Sequence, residues 1–363
     1  MPAGATRLAG AMLCALALGV LLAGCASAPR ELRLDIETAP DRKRIVWPLP
    51  PEVPRYAWAG ELLGEDNFQR QGEPSGSDGG FLRWLAGVIL GESQQPVRVQ
   101  RPQAGAIDAA GRIYVTDAGN SAVFVFDAVA GELVVWDKAE PRANFLSPVG
   151  IAVGPGGDIL VADSRLGIVA RLDARGNPRR SIGRGVLKRP TGLAYDPVGG
   201  RIYVSDTAAH DIKAFDDDGR LVKTIGHRGE GDGEFNFPTH LAFAHGELYV
   251  TDTMNSRIQV LGEAGTVVRL RFGARGTKVG NLVRPKGVAV DSEGNIYVVE
   301  SYYDHLLVFS PRGELLLALD GGMQGIGGFE LPAGVWVDGS DRVFVADMLN
   351  ARIPVFQFLG STQ

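Results

Sequence analysis

Three features of the 363-residue sequence predict an all-β fold, a six-bladed β-propeller: a proline-led apolar unit that recurs six times, an acid that ends the second strand of each unit, and an unmatched strand upstream of the first unit. The composition agrees. Forty-nine Gly and 21 Pro break any long helical pattern but suit many short strands and turns. A 45% hydrophobic share against 22% charged residues supplies enough apolar surface for a core, which excludes a disordered chain. The net charge is only -5, and this balance predicts no basic stripe and no nucleic-acid partner.

Each unit opens at Pro102, Pro148, Pro190, Pro238, Pro285 or Pro332, spaced by 46, 42, 48, 47 and 47 residues. About fifteen residues later an apolar run ends in Asp117, Asp163, Asp206, Asp252, Glu300 or Asp347. Runs such as Arg201-Ile202-Tyr203-Val204-Ser205 and Asn295-Ile296-Tyr297-Val298-Val299, β-branched and aromatic between turn residues, are strands. Every unit parses as four strands. The first is rich in Gly and Ala (Gly150, Ala152, Gly192, Ala194, Gly287, Ala289), as an innermost strand must be where blades converge. The sixth unit ends at Ile353–Phe358 without a fourth strand, and Arg55–Leu62 has the pattern of one. Its addition to the last blade would close the ring and leave no unpaired edge there.

Pro-x-Gly-Ile/Val-Ala-Val, Gly-x-Ile-Tyr-Val-x-Asp, Asn255-x-Arg257-Ile258, Asn350-x-Arg352-Ile353 and Gly229–Phe235 together resemble the NHL-repeat family of β-propellers over about 260 residues. The resemblance implies the fold. It also implies a protein or glycan partner, by similarity to NHL-like proteins associated with envelope electron-transfer or polysaccharide machinery.

The N-terminus reads as an address. Arg7 precedes an apolar run, Leu8 to Ala23, that ends in Leu22-Ala23-Gly24-Cys25, which resembles the bacterial lipobox. Residues 1–24 are thus expected to be a signal peptide, and Cys25 the acylated N-terminus of the exported form. Ala26 after that cysteine suggests the outer membrane, on its periplasmic side. With Cys14 inside the signal, no thiol remains for a disulfide or a thiolate metal site. Residues 25–54, charged and proline-rich, read as an extended tether of roughly 30 Å, with Val46–Pro51 able to dock. The propeller itself spans 55–363. Within its long connection, 65–101, Phe81, Trp84, Leu85, Val88 and Ile89 have the spacing of a short amphipathic helix over 79–92.

Repetition argues that the acid, with Asn three and Arg five residues later, braces each blade. Candidate binding residues are therefore sought where the units differ, in loops at the rim: Arg165, His210, Asn255, Arg257, Tyr302, Tyr303, His305 and Arg352. His240 and Trp336 are candidates for the axial channel. His240 is the one histidine among the six inner positions that follow each proline by two, whereas a catalytic zinc needs three protein ligands. Asp216–Gly219 lacks the ligand spacing of a calcium loop. The sequence thus points to a monomeric, non-enzymatic binding platform without cofactor or metal; the rival reading is a metal-dependent lyase or hydrolase at the axis.

Overall fold

The computed structural model describes residues 30–34, 45–70, 96–262, 265, 267–319 and 328–360. Six antiparallel sheets follow one another around an axis. Blades 1, 3, 4 and 5 have four strands each, running outward from an inner strand: Pro102–Ile107 to Glu132–Trp136, Pro190–Asp196 to Leu221–Ile225, Pro238–Ala244 to Val267–Phe272, and Pro285–Val290 to Leu315–Leu319. Blade 2 departs from the four-strand expectation. Its sheet stops at the third strand, Ile168–Leu172, and the segment beyond pairs with it through the isolated bridges Leu172 to Pro178 and Val169 to Ile182. Two glycines with positive φ, Gly176 and Gly183, and Pro178 interrupt that segment, so no continuous ladder forms.

Blade 6 comprises Val335–Val337, Arg342–Val345 and Ile353–Phe358, followed outward by Tyr56–Leu62, which pairs antiparallel from Ile353 opposite Leu62 to Phe358 opposite Tyr56. A fifth strand, Val46–Trp47, pairs with Tyr56 and Ala57, and buries the Trp47 ring against Phe356. Of the stretch read as a tether, the expected docking of Val46–Pro51 is thus seen at Val46–Trp47. Arg30–Leu32 pairs with Phe68–Arg70, and Leu32 and Leu34 pack on the apolar cluster between blades 6 and 1. These side chains and Trp47 would expose apolar surface in a loose linker, and burying them offsets the entropy of ordering it. Cys25 and the 79–92 helix lie outside the described residues.

The thin inner strands have a direct cause. A Cβ on Gly150 would stand 2.1 Å from the Thr191 carbonyl oxygen of the next blade, and one on Gly334 would stand 2.3 Å from that of Gln103. Glycine at this position lets adjacent backbones touch. Hydroxyls one residue before the acid stitch neighbouring blades: Thr116 donates to the Val149 carbonyl at 2.7 Å, and Ser205 donates to that of Thr239.

The repeated acid clasps the connection that feeds its own blade. Asp206 accepts the backbone N–H groups of Lys188 and Arg189 at 2.9 and 2.8 Å, Asp163 those of Leu146 and Ser147, and Glu300 those of Val283 and Arg284. All six acids are buried, and each is bonded to the amides just before the anchor proline. The fifteen-residue spacing of proline and acid is thus one antiparallel pair whose ends are locked.

Candidate binding site at the loop face

Because consecutive strands are antiparallel, the loops between second and third strands and the connections between blades share one face, the loop face. The remaining turns share the other, the turn face.

The predicted rim residues divide into two groups. Arg257 is buried: its Nε binds Asp252 at 2.7 Å, and its two terminal nitrogens donate to the carbonyls of Glu230, Gly231 and Glu234. Asn255 donates to the Gly229 carbonyl and to Asp252. Arg352 repeats the pattern, binding Asp347 at 2.8 Å, Glu61 of the strand that completes blade 6, and the Gly328 carbonyl. These three hold a long connection in place and are removed from the set of partner-binding residues. The full acid, Asn and Arg brace also belongs to blades 4 and 6 alone; the position five after the acid is Ala122, Ile168, Asp211 and His305 elsewhere. Burial raises the carboxyl pKa of Asp347, and bonds from the Glu330 amide, Asn350 and Arg352 act in the opposite direction.

The second group stands at the surface. Arg165 is exposed on blade 2. On blade 5, Tyr302 is 57% exposed and meets Tyr303 edge to face at 4.9 Å, and Tyr303 lies 6.4 Å from the His305 ring. His210 has φ +60° and accepts the Phe237 N–H at its Nδ1, with the two rings 4.3 Å apart. Sequence reasoning missed Phe237, which is 40% exposed immediately before an anchor proline; a large apolar residue at that loop position was the available signal. Met254 of blade 4 and Leu349 of blade 6 are also exposed. Blades 3 to 6 thereby present an aromatic and apolar arc along one face, a composition that recurs at protein interfaces.

The axis is different. Trp336 does not line a channel: its ring stacks on Phe344 at 5.5 Å and fills the space over Gly105 of blade 1, where an added Cβ would stand 2.3 Å from the indole. A side chain of that size fits between blades only where the facing residue is glycine. Both ring nitrogens of His240 are shielded and lack a hydrogen-bond partner among the described residues. Burial, with repulsion from Lys286, pushes the imidazole pKa down to about 3 and so keeps the ring neutral. Burial likewise lowers the Lys286 ammonium pKa. Among the described residues no group of three His, Cys, Asp or Glu is placed to hold a metal. Asp216 accepts the Arg220 N–H at 2.8 Å and Asp218 pairs with Arg220, the geometry of a closed turn.

The even charge distribution predicted from the whole chain does not hold locally. Between Arg175 and Arg189 stand six exposed cations and no acid, along the irregular outer segment of blade 2. Whole-chain balance conceals this run; a window of fifteen residues reveals it.

A family model described as a six-bladed β-propeller matches residues 195–260, and an NHL-repeat model matches residues 145–165. The Brain tumor protein of Drosophila melanogaster is 33% identical over 135 residues, 36% of this chain and 12% of that protein's length. The chain is a six-bladed β-propeller, one of whose repeats matches the NHL model. Virginiamycin B lyase from Staphylococcus aureus superposes with a TM-score of 0.52 at 14% identity, over 72% of this chain and 96% of that one. A gluconolactonase from Xanthomonas campestris superposes with a TM-score of 0.54 at 18% identity, over 72% and 86%. At such identities the likeness concerns the fold alone, and this fold hosts enzymes and binding platforms alike.

Proposed function

We propose that this propeller is a non-enzymatic binding platform, exported and held by an acylated Cys25 at the outer membrane, with its loop face engaging a protein or glycan of the cell envelope. The observation that carries the reading is the exposed arc of Phe237, Met254, Tyr302 and Leu349 across four consecutive blades. Aromatic groups already packed on one another, as Tyr302 on Tyr303 and Phe237 on His210, lose little side-chain freedom when a partner covers them. The inner ring supports the same reading, because glycine backbones packed on each other leave little room there for catalytic side chains. Pairing of Tyr56–Leu62 into blade 6 ties the first blade to the last and makes the platform rigid, and the repeat framework favours a monomer. Acylation and platform function are separable.

A photo-crosslinker at position 302 tests the platform. It is expected to trap one defined envelope partner, whereas the same group at Val198 on the turn face traps none, and Phe237→Ala with Tyr303→Ala reduces the yield at least about tenfold. Equal yields from 302 and 198 would refute it.

A further inference from the structure

We infer that the outer wall of blades 1 and 2 is a contact surface for an anionic phospholipid bilayer, an inference that takes its setting from the membrane-anchored reading above. The wall is formed by residues 132–147 and 173–189, which carry eight cations against four acids in a chain whose net charge is -5. Two of the cations are locally neutralised: Arg184 pairs with Glu140 at 2.6 Å, and Arg179 with Asp158 at 3.5 Å. Arg142, Arg175, Arg180, Lys188 and Arg189 are exposed and have no ion pair among the described residues. Isolated like charges on a wall of an otherwise acidic protein repel one another, and a negative surface relieves that repulsion.

The shape of the wall suits headgroups. Two open clefts share Arg180. One, of about 800 Å³, is bordered by Arg142, Arg179, Ser181 and Glu140, whose carboxylate pairs with Arg184, and the other, of about 330 Å³, by Arg184, Val186, Leu221 and Asp218, whose carboxylate pairs with Arg220. A guanidinium offers paired donors that match the oxygens of a phosphate, and the apolar residues beside them tolerate the glycerol region.

Position in the chain supplies the second argument. Arg30 is fixed at the start of this wall, its carbonyl oxygen lying 2.3 Å from where a Cβ on Gly131 would be. Gly131 leads directly into the outer strand of blade 1, Glu132–Trp136, and the Trp136 ring packs under Gly176 of the basic run. Four residues lie between Cys25 and Arg30, a reach of at most about 18 Å. An acyl group on Cys25 therefore brings the bilayer to this wall, within about one strand length of the cations. A basic patch beside such an anchor adds electrostatic attraction to an anionic leaflet and sets which side of the propeller faces it.

The test uses the mature chain with Cys25→Ser, so that no acyl group contributes, and co-sedimentation with vesicles of phosphatidylcholine containing about 30 mol% phosphatidylglycerol. Binding is expected to these vesicles and not to pure phosphatidylcholine, and to fade as salt rises from about 50 to about 500 mM. Arg142→Gln, Arg175→Gln, Arg180→Gln and Lys188→Gln combined should lower partitioning at least about tenfold, since each cation near such a surface contributes about fivefold. Arg275→Gln, Lys278→Gln and Arg312→Gln on blades 4 and 5 should leave it unchanged, and equal thermal melts verify that both variants fold. Equal binding to neutral vesicles, or undiminished binding by the four-site variant, would overturn the inference. So would binding to polyglutamate without binding to vesicles, which would assign the wall to an acidic protein segment. The mass of the N-terminal peptide of the native protein reports acylation separately, so an absent acyl group would remove the anchor without altering the vesicle result.

Discussion

Arg257→Met is the sharpest test of the division between bracing and binding residues. The substitution keeps an apolar stem in place while removing the guanidinium, which at present satisfies Asp252 and three carbonyls of the connection between blades 3 and 4. Asp252 is fully buried and would retain only neutral donors: the Asn236 amide, Asn255 and Gln259. Breaking one side of a buried ion pair costs about 3–5 kcal/mol, because the remaining charge has neither water nor a counterion. In a chain of this length each kcal/mol moves the melting temperature by roughly 2–4 °C, so a fall of roughly 6–20 °C is expected in calorimetry. Removing both charges, as Asp252→Asn with Arg257→Met, should cost less than the sum of the single changes, since no orphaned charge is left. At temperatures where the single variant is folded, crosslinking from position 302 should be unaffected. A cost below about 1 kcal/mol would mean that Asp252 reaches solvent and that Arg257 is free at the rim, and the reasoning would fail.

Two further changes probe the axis. His240 has its pKa pushed down to about 3 by burial and by Lys286, against about 6.5 in an unfolded chain. The unfolded state therefore takes up the proton first: the stability due to the neutral ring is complete above about pH 6.5 and is lost as pH falls toward about 3. Urea unfolding at pH 7 and about 4.5 should show the parent losing about 2–3 kcal/mol more than His240→Leu, and identical losses would refute the shielded ring. Gly150→Ala places a Cβ 2.1 Å from the Thr191 carbonyl oxygen, so it should destabilise by about 1–3 kcal/mol or more in the same assay. Gly339→Ala, where nothing lies within 4 Å, should change stability by less than about 1 kcal/mol. Equal effects would show that the inner strands are not in contact.

The blade count and the role of the terminal acid were legible because a repeated unit states the same contact six times. A proline, an apolar run and an acid fifteen residues later define a strand pair whatever the surroundings. Arg257 and Arg352 were misjudged because spacing tells which loop a residue occupies but not whether its side chain turns back onto the protein; that depends on the long connections through Gly229–Phe235 and Gly328, which those side chains hold. Trp336 was misplaced for a related reason. Its destination is decided by Gly105, more than two hundred residues away in sequence and one blade away in space. The stretch before Arg55 reads as a polar, proline-rich linker by composition, yet Leu32, Leu34 and Trp47 suffice to dock it, since a few large apolar groups at the right register outweigh an average.

The same economy constrains where chemistry can reside in this molecule. The repeated acids, which an eye trained on active sites would collect first, are each spent on backbone amides, and Arg257 and Arg352 beside them are spent on those acids and on carbonyls. Near the axis, backbone meets backbone at the glycines, and the one histidine there stays neutral and enclosed. Two surfaces do offer side chains free to meet another molecule, the aromatic arc on the loop face and the basic wall of blades 1 and 2. On the anchored reading these surfaces have a fixed relation. Arg30 pins the chain at the foot of the wall, where the turn face begins, and a reach of about 18 Å is close to the length of a five-residue strand. A lipid on Cys25 would then hold the wall of blades 1 and 2 side-on to the bilayer and leave the arc of Phe237, Met254, Tyr302 and Leu349, on the far side of the ring, open to a partner in the aqueous phase.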